Sequence, residues 1–351
     1  MVLLARYEKR LQQRYAFESR ADEFHRVSCE DGVVLALKRF VPHEPALQGL
    51  PVLCVHGLGA DSFNFDAPAP HGLASALAAK GFDVWAVDLR GAGLSRVRQR
   101  EHAAISFDHF VRHDIPAVLE YAARVSGREE FLWIGHSMGG LVLYASLATG
   151  LGNRIRAGIT LGSPLGFPER WDCAPIFRHV HGLGPYLNGL PVRRALRWLT
   201  PLCMSEWEPA SHLWAVRENV DIELCRRMLY MAVQDVPKGL ALQFRDWIHH
   251  DAFRSVDQTF DYRARLAGIR TPVLVVCAPE DRLGVPKAVK RATELLPAHR
   301  LLELSVEHGF STDYGHIDML FGRQAPDEVF PHLFRFLLEH ADQKTPRSDE
   351  L

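Results

Sequence analysis

Short, nearly unbroken apolar runs alternate along this chain with longer stretches whose apolar residues recur at helical spacing. Pro51-Val-Leu-Cys-Val55, Asp83-Val-Trp-Ala-Val-Asp88, Phe131-Leu-Trp-Ile134, Ile155 to Leu161, Pro272-Val-Leu-Val-Val-Cys277 and Arg300 to Leu304 read as buried strands. Leu73 to Lys80, Leu141 to Ala148 and Lys287 to Leu296 read as helices between them, and a last helix spans about Asp327 to Glu339. Strands apolar on both sides, separated by helices, predict an α/β fold: a mostly parallel sheet covered on both faces. Ahead of this rhythm, Asp31-Gly32 predicts a hairpin turn into a strand from Val33 to Phe40.

Two segments depart from the alternation. Residues 4 to 17 contain no Gly or Pro, and Leu4, Tyr7, Leu11 and Tyr15 fall near one helical face, with Arg6, Lys9, Arg10 and Arg14 opposite. Such a helix either docks on its own domain or touches an anionic membrane surface. From about Ser163 to Tyr262 the strand pattern stops, Pro is frequent, and five of the seven tryptophans gather: Trp171, Trp198, Trp207, Trp214 and Trp247. This stretch is expected to be a helical cap inserted over the sheet, its aromatic residues lining an apolar pocket. The resulting division is an N-terminal helix and extension (1–29), a core in two pieces (30–162 and 263–340), a cap (163–262) and a disordered tail (341–351).

Composition narrows the function classes. With 351 residues, 47% of them hydrophobic, the chain can bury a large core. A net charge of −1 gives no electrostatic case for nucleic acid. The six cysteines (29, 54, 173, 203, 225 and 277) form no C-x-x-C pair, so neither a zinc site nor a redox motif is indicated. No apolar run approaches the ~20 residues that span a membrane, no N-x-S/T sequon occurs, and no signal-peptide core is visible. Ser348-Asp-Glu-Leu351 resembles a KDEL-type retention signal. Without a visible entry signal, cytoplasm is the expected compartment.

The candidate chemistry centres on Gly135-His-Ser-Met-Gly139, placed between a buried strand and an apolar helix. That is the nucleophile-elbow pattern: a sharp strand-to-helix turn exposes Ser137, and the flanking glycines let neighbouring backbone approach. A serine hydroxyl needs a base, and the base needs an orienting acid. His316, in Asp313-Tyr-Gly-His-Ile-Asp318 after the last strand, is the expected base, with His308 as its local competitor. His136 is placed to flank the elbow. Asp281, in Cys277-Ala-Pro-Glu-Asp-Arg282 after a buried strand, is the expected acid, and Glu280 stands beside it as the alternative. His56-Gly-Leu-Gly59 follows the strand Val52 to Val55 and supplies an oxyanion loop, with donors expected from the Leu58 and Met138 N–H groups. Asp88-Leu-Arg-Gly-Ala-Gly-Leu-Ser95 carries a G-x-G but lacks the third glycine of a dinucleotide fingerprint and reads as structural. No metal or organic cofactor is implied.

With these residues placed, the chain resembles α/β-hydrolase-fold proteins from about Glu30 to Glu339, and among them most resembles the acid-lipase group of neutral-lipid hydrolases. The similarity rests on Asp31 to Arg39, His56-Gly-Leu58, Gly81 to Val87, Gly135-His-Ser137, Val236 to Trp247, Tyr314 to Gly322 and Ala325-Pro326. It implies ester hydrolysis of apolar acyl groups, with Ser137, Asp281 and His316 at the triad positions. The Gly315-His-Ile-Asp318 and Ala325-Pro326 segments are also similar to polyhydroxyalkanoate synthases, which use a cysteine where this chain has Ser137. An acyl thioesterase or intracellular polyester depolymerase is the alternative activity, and a catalytically silent scaffold the alternative of another class. The chain's oligomeric state is not encoded in any of these features.

Overall fold

The computed structural model describes residues 2–42, 49–167, 189–190, 192–205 and 209–341. Trp171, Cys173, Trp207, Ser348 to Leu351 and nearly all of the expected tail lie outside them.

The strands are β1 (Glu23–Ser28), β2 (Val34–Phe40), β3 (Val52–Val55), β4 (Val84–Asp88), β5 (Phe131–His136), β6 (Ile155–Leu161), the short pair β7 (Gly189–Leu190) and β8 (Val236–Pro237), then β9 (Val273–Cys277) and β10 (His299–Glu303). Eight of them form one sheet in the order β1-β2-β4-β3-β5-β6-β9-β10. β1 and β2 form the hairpin that Asp31-Gly32 announces, β2 runs antiparallel to β4, and every other pairing within this sheet is parallel.

The main helices are α1 (Val2–Tyr15), α2 (Leu73–Ala79), α3 (Ile115–Ser126), α4 (Met138–Ala148), α5 (Val192–Leu199), α6 (Ile222–Ala232), α7 (Lys238–His250), α8 (Pro286–Leu295) and α9 (Phe330–Ala341). Alternate strand residues feed two cores, as a period of two requires. Leu53, Val55, Trp85, Val87, Phe131 and Trp133 pack against α3, α4 and α8 on one side. Val52, Cys54, Val84, Ala86, Leu132 and Ile134 pack against α2 and α9 on the other. Each valine, leucine, isoleucine or phenylalanine among them, fully removed from water, contributes about 1.5–3 kcal/mol before chain entropy is set against it.

Two elements differ from the pattern reading. α3 is absent from the pattern reading; it follows directly on a π-helical turn, Phe110–Asp114, with Pro116 in its first turn, where proline is tolerated. The last helix is two pieces, Ala325–Glu328 and α9, joined at Val329. Pro331 has no N–H to carry the hydrogen-bond ladder across that junction.

Helix α1 lies on α5 and α6, with Leu11 and Tyr15 buried in the contact. Half of its apolar face is thus spent on the protein, while the other half, Leu4 and Tyr7, stays exposed. Among the described residues no helix is long and apolar enough to cross a membrane. The five cysteines among them are buried thiols.

Candidate active site

β5 ends at His136 and α4 begins at Met138, so Ser137 alone turns the chain, with φ 53° and ψ −117°. Few L-residues occupy that region, and holding one there costs about 1–3 kcal/mol. The turn is held because Ser137 N–H donates to the Leu161 carbonyl at 2.7 Å and Gly140 N–H to the Ser137 carbonyl at 3.0 Å. A Cβ on Gly135 would overlap the backbone of Gly139, and a Cβ on Gly139 the carbonyl of Val55. Glycine at both positions lets β5, α4 and β3 close around the serine.

His316 arrives from the loop after β10 and Asp281 from the loop after β9. The His316 Nδ1–H donates to Asp281 Oδ2 at 2.8 Å, and both side chains are buried. The other carboxylate oxygen, Oδ1, accepts the Leu283 N–H at 2.9 Å and the Gly284 N–H at 2.6 Å. Charge-assisted bonds from two directions fix the carboxylate in the plane that aims the imidazole. The competitors are elsewhere. Glu280 is exposed, and exposed His308 places its Nδ1 2.7 Å from Ser305 Oγ.

Ser137, His316, Leu58 and Met138 line one cavity of about 340 Å³, with Asp281 behind His316. Among the described residues neither the Leu58 N–H nor the Met138 N–H donates to another group.

A buried polar network that the sequence does not announce supports the loop. Asn64 Oδ1 accepts the Gly57 N–H at 3.1 Å and stands 3.0 Å from His136 Nδ1, while His136 Nε2 lies 3.1 Å from the His316 carbonyl. Burial, then the nearby His316, pushes the His136 imidazole down to about 3, so it stays neutral. His56 accepts the Leu89 N–H on Nε2 at 3.1 Å, leaving Nδ1–H to donate to the Gly57 carbonyl at 2.9 Å. From the segment after α6, Gln234 N–H donates to the Gly59 carbonyl at 2.7 Å and Gln234 Nε2 to Asp61 Oδ2 at 2.6 Å. Asn64 and Gln234 sit in sequence with nothing beyond their polarity to single them out.

The rest of the cavity wall is apolar, from Leu196, Trp214, Met228, Val236, Phe244 and Leu283 among others. The tryptophan expectation needs correction here. Of the described tryptophans in this stretch only Trp214 lines the cavity. Trp247 is fully buried in the core, edge-on to Phe107 and Phe253, its indole N–H donating to the Arg254 carbonyl at 2.8 Å. Trp198 faces α1, donating to Glu8 at 3.0 Å. Clustering in sequence does not make residues converge in space, because successive helices turn their faces differently.

An α/β sheet with a strained serine at a strand-to-helix turn defines the class. Residues 51–322 match the family model described as the alpha/beta hydrolase fold, and the chain belongs to that family. Within it, the chain falls in the acid-lipase-like group. It is 31% identical to lipase member K of Mus musculus, over 90% of this chain and 88% of that protein. It is 26% identical to lipase member N of the same organism, over 91% and 88%. Among solved structures, a thermophilic esterase from Thermogutta terrifontis superposes with a TM-score of 0.62 at 18% identity, covering 91% of this chain and 99% of that one.

Proposed function

We propose that this chain is a carboxylic ester hydrolase that works through an acyl-enzyme on Ser137. The carrying observation is that a strained serine and a histidine already bonded to a buried carboxylate open onto one apolar cavity. His316 offers Nε2 as base, because its Nδ1–H is committed to Asp281. Ser137 Oγ attacks the ester carbonyl as His316 takes its proton. The Leu58 and Met138 N–H groups receive the oxyanion, each worth about 3 kcal/mol in the transition state. Collapse releases the alcohol with the proton from His316, and a water activated by the same imidazole frees the acid. The apolar wall fits the acyl part of a lipid ester, and the volume of about 340 Å³ sits at the small end of ligand pockets.

In this reading residues 30–162 and 263–340 form the catalytic core and 163–262 the cap that carries much of the acyl wall. Cytoplasmic placement belongs to the same proposal, supported by the buried thiols of the described cysteines and tested by cell fractionation. The activity is tested with p-nitrophenyl esters from acetate to palmitate, comparing wild type with Ser137→Ala. Turnover by wild type alone is expected. Silence on every ester from folded protein, with turnover of acyl-CoA, would replace the ester reading with a thioesterase.

A further inference from the structure

The outward faces of α1 and α5 meet along one edge of the molecule, although about 180 residues separate them in sequence. α1 carries Arg6, Lys9, Arg10 and Arg14 against one acid, Glu8, and α5 carries Arg193, Arg194 and Arg197 with none. The whole chain has a net charge of −1, so the remainder is acidic and this edge is a local positive excess. Between the helices runs a groove of about 680 Å³ lined by Lys9, Arg193, Arg194 and Arg197.

The acids at the groove are already engaged. Glu8 Oε1 accepts the Trp198 indole N–H at 3.0 Å and lies 3.5 Å from Arg194 Nη2, and Asp235 Oδ1 accepts the backbone N–H of Arg193 at 2.9 Å. Arg14 lies against Glu223 at 3.4 Å. Arg6, Lys9, Arg10, Arg193 and Arg197 make no ion pair among the described residues. Burial first, and then the charge of Arg193, holds the Arg197 guanidinium below its ordinary value, and its Nε–H donates to the Tyr230 carbonyl at 2.8 Å.

Apolar groups rim the same edge. Leu4, Tyr7, Leu199 and Leu202 are 47%, 39%, 49% and 55% exposed, and the Tyr7 hydroxyl donates to the Trp198 carbonyl at 2.8 Å. On its other side α5 sends Val192 and Leu196 into the cavity above Ser137. One helix therefore separates the cationic edge from the acyl wall.

We propose that the α1–α5 edge docks this protein on an anionic phospholipid bilayer. Lys9, Arg193, Arg194 and Arg197 take lipid phosphates, Arg6 and Arg10 add longer-range attraction, and Leu4, Tyr7, Leu199 and Leu202 rest in the interface. The apolar rim, and the acyl cavity behind α5, favour a lipid surface over a soluble anion or a nucleic acid. This rests on the lipid-ester reading of the site. It differs from insertion of a whole amphipathic helix, since Leu11 and Tyr15 of α1 are buried where the helix lies on α5 and α6.

The test is sedimentation of the full chain with phosphatidylcholine vesicles with and without phosphatidylglycerol, at low and high salt. Two variants carry the result: Arg6→Gln/Lys9→Gln/Arg10→Gln and Arg193→Gln/Arg194→Gln. Each cation near an anionic surface is worth about fivefold in binding. The triple variant should bind roughly a hundredfold more weakly, and the double roughly twentyfold. High salt should release the wild type. Hydrolysis of p-nitrophenyl butyrate, which needs no surface, should be unchanged in both. Its loss in wild type would overturn the catalytic reading without touching vesicle binding. Equal binding to neutral vesicles, or binding unaffected by salt and by both variants, overturns the docking surface. So does stoichiometric binding of inorganic phosphate without vesicle adsorption, or a dimer in wild type that both variants abolish.

Discussion

Asp281→Asn should leave the protein folded and its turnover nearly abolished, and the loop after β9 dictates why. Oδ1 of Asp281 accepts two backbone N–H groups, from Leu283 at 2.9 Å and Gly284 at 2.6 Å, while Oδ2 receives the His316 Nδ1–H at 2.8 Å. An asparagine must keep its oxygen toward the two backbone donors. The reverse orientation would set an NH₂ group against both, at about 1–3 kcal/mol for each unmade bond. The amide nitrogen then faces His316 Nδ1, and the neutral imidazole must carry its proton on Nε2, where it cannot accept one from Ser137.

Restoring the working tautomer sets N–H against N–H, about 1–3 kcal/mol, and the imidazolium loses a charge-assisted bond worth about 1.5–3 kcal/mol. Together these raise the barrier by roughly 3–6 kcal/mol, a fall in kcat of about 10²–10⁴. KM should change little, because Asp281 is not part of the cavity wall. The assay is steady-state hydrolysis of p-nitrophenyl butyrate beside a thermal melt, with Glu280→Gln as control, expected within about twofold of wild type. An Asp281→Asn enzyme within about tenfold of wild-type kcat would refute the argument, as would an equal loss in the Glu280→Gln variant.

Three further outcomes follow from particular contacts. His316→Ala should abolish turnover while His308→Ala keeps most of it, since His308 is exposed and bonded to Ser305; equal losses would undo the assignment of the base. Leu196→Trp should fill part of the cavity wall and lower kcat/KM for octanoate about tenfold or more relative to acetate; an unchanged chain-length profile would place the acyl group elsewhere. Burial pushes the Asp318 carboxyl up to about 6 despite bonds from Asn219 and Gly315. An unfolded aspartate loses its proton near ~4, so the folded protein binds more protons between about pH 4 and 6 and stability falls as pH rises through that window. Asp318→Asn should remove that component, of order 3 kcal/mol, from urea midpoints measured at about pH 4 and 6; parallel profiles for the two proteins would remove Asp318 as its source.

Local pattern was enough for the frame of this protein. Apolar runs such as Val52 to Val55 and Phe131 to Ile134 announced buried strands because both faces of each strand meet a core. Gly135-His-Ser-Met-Gly139 announced its turn because backbone geometry and steric room are set within a few residues. The chain order of Ser137, Asp281 and His316 suggested partners because each follows a strand. What the sequence left open was which distant groups face each other. The order β3-β5-β6-β9-β10 brings the loops after β5, β9 and β10 to one edge, so that residues 35 and 180 positions apart come within hydrogen-bonding distance. The same tertiary arrangement turned Trp247 into the core and Trp214 into the cavity, tied Asn64 and Gln234 to the loop carrying Leu58, and set the arginines of α5 beside those of α1. Periodicity tells which side of an element is apolar; only packing against other elements decides what that side, and the opposite one, meets.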